Sequence, residues 1–204
     1  MPLSLNLLRI NDLSLAGPLS IACARAFSNE SYIYYLLPDK RKRENLRYLY
    51  QYHLRMCIAG GYEAYTTSAN CEGVAVWLSS ETREPFGLLL RGGNPFPALR
   101  CGLRNLLWEI KASDHCTKIR KKLLPQPHMY LVLLAVDPSF QGKGYAGALM
   151  RPVLDRSDKL GLPCYVETHS IQNVAFYRHF GFQVVREIDL PPIPHPFYAL
   201  LRKQ

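Results

Sequence analysis

The chain has 204 residues, 48% hydrophobic and 20% charged, enough to build one packed core and too apolar for a disordered or fibrous chain. Twenty-five Lys and Arg against 16 Asp and Glu give a formal charge of +9, which attracts polyanions and suits nucleic acid or a phosphate-bearing cofactor. No apolar run is long enough to cross a bilayer, the N-terminus lacks a signal-peptide pattern, and the six Cys form no Cys-x-x-Cys pair; a single cytoplasmic domain over residues 1–204, without disulfides, metal or membrane segment, is expected.

Leu3, Leu5 and Leu7 alternate with small or polar residues, which predicts a strand, and a helix follows over residues 13–27. Glu30, Tyr32, Tyr34 and Tyr35 come next, an acidic and aromatic set suited to a cation and equally suited to packing. A second helix starts after Pro38, with Lys40-Arg41-Lys42-Arg43 as its solvated first turn and Leu46, Leu49 and Leu54 on its inner face. Residues 65–67 and 74–78 read as the arms of a hairpin, and the Pro, Gly and Asn of residues 84–97 as loop or mobile cover. Residues 100–122 interleave basic groups with Leu103, Leu106, Leu107 and Trp108, as an amphipathic helix does.

The last third carries the function. A strand over residues 129–136, a helix over 142–160 ended by Gly161, and a strand over 164–168 make a parallel β-α-β unit, with Pro152 expected to kink its helix. A short helix over 173–180 and strands over 182–188 and 197–201 complete the chain. Between the first strand and helix lies Gln141-Gly142-Lys143-Gly144-Tyr145-Ala146-Gly147. Its glycines let the backbone approach a ligand with N–H groups outward, and the helix dipole and Lys143 add positive charge, so a diphosphate fits there. The competing explanation is a glycine turn that only allows close strand–helix packing. Gly142-x-Gly144-x-x-Gly147 followed by Glu167 also imitates a dinucleotide fingerprint, although five residues intervene after the strand and little chain remains for a doubly wound sheet. A Walker A loop is absent.

Gln141, Gly144 and Ala146 match the [QR]-x-x-G-x-[GA] loop of the GNAT acetyltransferase superfamily, which the chain resembles. The stretch from Asn173 through Phe176, Tyr177 and Gly181 to Phe182 resembles that superfamily's next signature, with one residue fewer before the aromatic. His128-x-Tyr130-Leu131, Val136-x-Pro138-x-x-Gln141, Glu167-Thr168 and Val74-Ala75-Val76-Trp77 are similar to the branch containing puromycin N-acetyltransferase. The resemblance implies a mixed α/β fold: a mostly antiparallel sheet of six to seven strands, a splayed central parallel pair and helices on both faces. It implies an acetyl-CoA-dependent N-acetyltransferase. In its cofactor set Leu134, Ala135 and Val136 act through their main chain, joined by Gln141, Gly142, Lys143, Gly144, Tyr145, Ala146, Asn173 and Phe176. It also makes Tyr177 the general acid for the departing thiolate.

Strand alternation places Tyr165, Glu167 and His169 on one face, and a carboxylate near a sheet centre is costly unless paired or functional. Glu167 is therefore the expected base, directly or through water, with an ion pair as its structural alternative and His128 as a second base. The expected reaction is direct attack of a small-molecule primary amine in a ternary complex, with no nucleic acid or membrane partner and no metal. The alternatives are a catalytically silent binding module of the same fold and a dinucleotide-binding protein.

Overall fold

The computed structural model describes residues 7–83 and 87–203. Leu3 and Leu5 of the expected first strand lie outside these residues, and the strand observed is the short β1 (Leu8–Arg9). Helix α1 (Ala16–Phe27) starts three residues later than the apolar pattern predicts, because Asp12 Oδ1 accepts the Ser14 N–H at 2.7 Å and holds the preceding residues in a turn. After α2 (Ser31–Leu36), the basic tetrad forms its own exposed turn of helix, α3 (Lys40–Arg43), capped by Asp39, which accepts the Arg41 N–H at 2.9 Å. In α4 (Leu46–Ala59) the residues Leu46, Tyr50, Leu54 and Cys57 recur at three- and four-residue spacing and are buried on one face.

The hairpin of β2 (Glu63–Thr66) and β3 (Gly73–Ser79) follows, its turn tied by Glu72, which accepts the Thr67 and Ser68 hydroxyls at 2.6 and 2.8 Å. On its other side β3 pairs antiparallel with β4 (Met129–Val136). A two-residue turn can join such neighbours, yet residues 80–128 intervene here and carry α5 (Leu88–Arg91), a 3-10 turn (Phe96–Cys101) and the long α6 (Leu103–Leu123). This excursion lies back on the sheet, and Trp108 Nε1 donates to the Pro191 carbonyl at 2.6 Å.

The remainder is α7 (Tyr145–Leu160), β5 (Cys164–Thr168), α8 (Ile171–His179), β6 (Gln183–Ile188) and β7 (Phe197–Arg202). Helix α7 continues across Pro152 and ends at Gly161, whose φ of +69° closes it as expected. Helix α8 begins two residues before its expected start because Ser170 Oγ accepts the Asn173 N–H and caps it.

One seven-stranded sheet results, in the order β1-β2-β3-β4-β5-β7-β6, with β4 and β5 parallel and the other described pairings antiparallel. That corrects the dinucleotide-binding alternative, whose sheet is mostly parallel; here β3 and β7 flank the parallel pair in the opposite sense. Helices α1 and α4 cover one face over Ala64, Val74, Val76, Leu133 and Ala135, and α6 extends that cover over Tyr165, Ala199 and Leu201. The other face packs α7 and α8 on Ala75, Trp77, Leu131, Val166 and Leu200. Among the described residues no helix is long and apolar enough to cross a membrane.

Candidate active site

The parallel ladder of β4 and β5 runs through Met129 with Cys164, Tyr130 with Tyr165 and Leu131 with Val166, and stops. At the same level the register of β4 on β3 slips: Trp77 faces Leu131 and Val76 faces Leu133, leaving Val132 as the extra residue of a bulge. Beyond it Leu133 and Ala135 join the α1–α4 face, while Leu134 and Val136 face α7. The strands part here, and the sheet has an open seam.

The backbone facing that seam follows from the β3 ladder. The Asp137 N–H donates to the Glu72 carbonyl at 2.8 Å, so alternation directs the amides of Ala135 and Leu133 to β3 and those of Leu134 and Val136 into the seam. The N–H groups of Leu134 and Val136 thus open to the seam, whereas the amide of Ala135, expected to share their main-chain role, is turned to β3.

The seam leads to the glycine turn. Gln141 Nε2 donates to the Val136 carbonyl at 3.0 Å, which makes Gln141 a brace between seam and turn. Gly142 and Gly144 have φ of +73° and +85°, a conformation that favours glycine, and a Cβ at Gly142 would meet nothing within 4 Å. Residues 142–144 donate no backbone hydrogen bond among the described residues, and the first helical bond runs from Ala148 to Gly144. The N–H groups of Tyr145, Ala146 and Gly147 are the unpaired amides of a helix start. Six consecutive amides at the positive end of α7 therefore fit a diphosphate. Lys143 Nζ donates to the Ser139 carbonyl at 3.0 Å, 5.2 Å from the Phe140 ring, and adds its charge from the solvent side. The Tyr145 ring leans on Phe140, and Ala146 packs into the α7 core.

Asn173 and Tyr177 occupy successive turns of α8. Asn173 Nδ2 donates to Thr168 Oγ1 at 3.3 Å, tying α8 to the end of β5. Tyr177 is 7% exposed, its ring packed against Phe176 and Phe182 at 5.2 and 5.7 Å, and its hydroxyl has no hydrogen-bond partner among the described residues. The Phe176 ring meets Tyr177 edge-on and lies tilted against Phe180, at 5.2 and 5.1 Å. Burial pushes the Tyr177 phenol well above its ordinary range, so it keeps its proton at neutral pH.

Glu167 is the first β5 residue past the last pair with β4. Its Oε2 accepts the Tyr130 hydroxyl at 2.6 Å, while Oε1 has no partner among the described residues. Burial raises its pKa, opposed by the Tyr130 and Tyr165 hydroxyls and the charge of Arg120. As alternation requires, Glu167 shares the α6 face with Tyr165, opposite to Tyr177 on the α8 face. The Tyr177 phenol and the Glu167 carboxyl therefore lie on opposite faces of the sheet.

The α6 face collects the remaining polar groups. His169 Nε2 lies 2.7 Å from Glu30 Oε2, and the Tyr32 ring is 4.3 Å from the His169 ring and bonded to Tyr50 through their hydroxyls at 3.3 Å. Glu30 and Tyr32 are thus brought to the β5 end, whereas Tyr34 and Tyr35 point to solvent. Glu109 of α6, which the sequence pattern does not single out, lies close enough to Tyr32 and Tyr50 to raise their pKa values, and burial lifts its own to about 7. His128 does not reach the seam. It sits before the paired end of β4, six residues or about 20 Å of strand from Leu134, with Nδ1 on the Gln126 carbonyl at 2.8 Å.

Residues 103–182, which hold the seam, the turn and both flanking groups, match the model of the acetyltransferase (GNAT) family. Over that segment the chain is similar to the GNAT acetyltransferases. An uncharacterized N-acetyltransferase of Schizosaccharomyces pombe is 41% identical over 61 residues, covering 30% of this chain and 25% of that protein. The match therefore spans a quarter of the relative's length. Among solved structures, a histone acetyltransferase HPA2 and related acetyltransferase of Corynebacterium glutamicum aligns over 98% of this chain and 97% of its own, with 20% identity and a TM-score of 0.63. The PaiA N-acetyltransferase of Thermoplasma acidophilum, in complex with coenzyme A, aligns over 98% and 99% with 11% identity and a TM-score of 0.56. These structural likenesses establish the GNAT fold, and the puromycin branch remains a resemblance.

Proposed function

We propose that the chain is an acetyl-CoA-dependent N-acetyltransferase that acetylates the primary amine of a small molecule by direct attack in a ternary complex. The observation that carries this reading is the open seam between β4 and β5, continuous with the six unpaired amides of residues 142–147. The turn would hold the diphosphate, and the N–H groups of Leu134 and Val136 the pantetheine arm and the thioester carbonyl, whose oxygen gains negative charge during attack.

The amine enters from the α6 face. Glu167 takes one proton from its ammonium, and the free nitrogen attacks the carbonyl carbon. As the tetrahedral intermediate collapses, the C–S bond breaks and the thiolate takes the proton of Tyr177 on the opposite face. The nitrogen then returns a proton to the tyrosinate, and the balance is acetamide, free thiol and one released proton. Glu109, Glu30 and the Tyr32 and Tyr50 rings favour a cationic acceptor. The family resemblance and the neighbour in complex with coenzyme A support the cofactor.

The silent-module alternative lacks a comparable observation, since it leaves the protonated Tyr177 beside the seam without a task. A screen of primary amines with acetyl-CoA, read as thiol release, tests the reading: amine-dependent release is expected from cationic acceptors. Binding of acetyl-CoA with no release from any amine would favour the silent module.

A further inference from the structure

Arg120 is an anomaly of α6. It is 7% exposed, its guanidinium makes no ion pair or hydrogen bond among the described residues, and its Nη1 is buried without a partner there. A lone buried cation is costly, and an apolar residue would fill the same space at less expense of free energy. What it touches explains it: the guanidinium carbon lies 4.0 Å from the centre of the Tyr130 ring, and the Tyr130 hydroxyl is the one that grips Glu167 Oε2. The groups facing Glu167 are Tyr130 from β4, Tyr165 from β5, and Cys116 and Arg120 from α6. Arg120 is the one cation among them.

We infer that Arg120 is the positioning residue of Glu167: laid across the Tyr130 ring, it fixes the hydroxyl that holds Oε2 and supplies the charge against which Oε1 takes the acceptor's proton and releases it to solvent. The inference rests on Glu167 as the base. Residues 80–128 thereby gain a part in the chemistry, since the excursion between β3 and β4 delivers the residue that governs the base on β5.

The test separates this inference from the functional reading. Glutamate carboxyl carbons are labelled with 13C, Glu167 is assigned by loss of its signal in Glu167→Gln, and its titration is followed in the full chain. In Arg120→Met the midpoint is expected to rise by about one pH unit or more, the size of effect an adjacent opposite charge exerts, and in Arg120→Lys by much less. Tyr130→Phe, which leaves the cation in place and removes the link, is expected to raise it too, and Arg120→Gln substitutes for Arg120→Met should that variant not fold. The acidic limb of kcat/KM against pH is expected to move with the midpoint. An unmoved midpoint in the folded Arg120→Met or Arg120→Gln variant overturns the inference. Absence of turnover with any amine overturns the functional reading instead and leaves the titration to decide Arg120.

Discussion

The proposed reaction asks Tyr177 and Glu167 to hold opposite protonation states at one pH, and their surroundings differ accordingly. Tyr177 sits among Phe176, Phe182 and the α7 core, where no described residue stabilises a phenolate. Glu167 is also buried, but a hydroxyl on Oε2 and a nearby guanidinium limit how far its pKa climbs. Tyr177→Phe is expected to lower kcat by about 10² to 10⁴, the usual reach of general acid catalysis, with acetyl-CoA affinity retained; an unchanged kcat would remove Tyr177 from the reaction. Glu109 makes a separate prediction. Folding lifts its pKa from 4.5 to about 7, so the folded chain holds a proton there that the unfolded chain has lost. The stability this proton confers is full below pH 4.5 and is lost as pH rises through 7. At about 1.4 kcal/mol per pH unit the loss is about 3 kcal/mol. Denaturant unfolding of Glu109→Gln from pH 4.5 to 8 is expected to show a flatter profile than the parent; an equal slope would deny the burial assigned to Glu109.

At the scale of elements, strong periodicity made β4, β5 and α7 legible: β4 and β5 fall on their expected residues, and Gly161 stops α7 as foreseen. What the pattern misses are features set by neighbours. The bulge at Val132 has no signature within β4, since it exists only in register with β3, and without it the Ala135 amide, not those of Leu134 and Val136, would face the seam. Helix α2 and the cap at Ser170 are short-range signals overridden by the longer apolar patterns around them. Glu109 was hidden in a basic amphipathic stretch, because its inward direction depends on how α6 lies against the sheet. The glycine turn gives a sharp test. Gly142 and Gly61 have φ of +73° and +80°, and both have open space where a methyl group would stand, so alanine at either is expected to cost about 1–2 kcal/mol of backbone strain. Only Gly142→Ala is also expected to weaken acetyl-CoA binding, by about tenfold in a calorimetric titration; equal affinities in the two variants would place the diphosphate elsewhere.

Across the whole molecule, the sheet separates two tasks. The α7–α8 face holds the glycine turn and Tyr177, and the α1–α4–α6 face holds Glu167, Glu109, Glu30 and the Tyr32–Tyr50 pair. The two faces communicate where β4 and β5 separate, and the clamp between Trp108 and Pro191 ties the cover of the second face to the β6–β7 connection. The decisive measurement is a crystal structure of the chain with acetyl-CoA. The diphosphate is expected on the amides of residues 142–147, the thioester carbonyl within hydrogen-bond distance of the Leu134 or Val136 N–H, and the sulfur on the Tyr177 side. A thioester bound outside the seam, or β4 and β5 paired through to Val136, would contradict this arrangement.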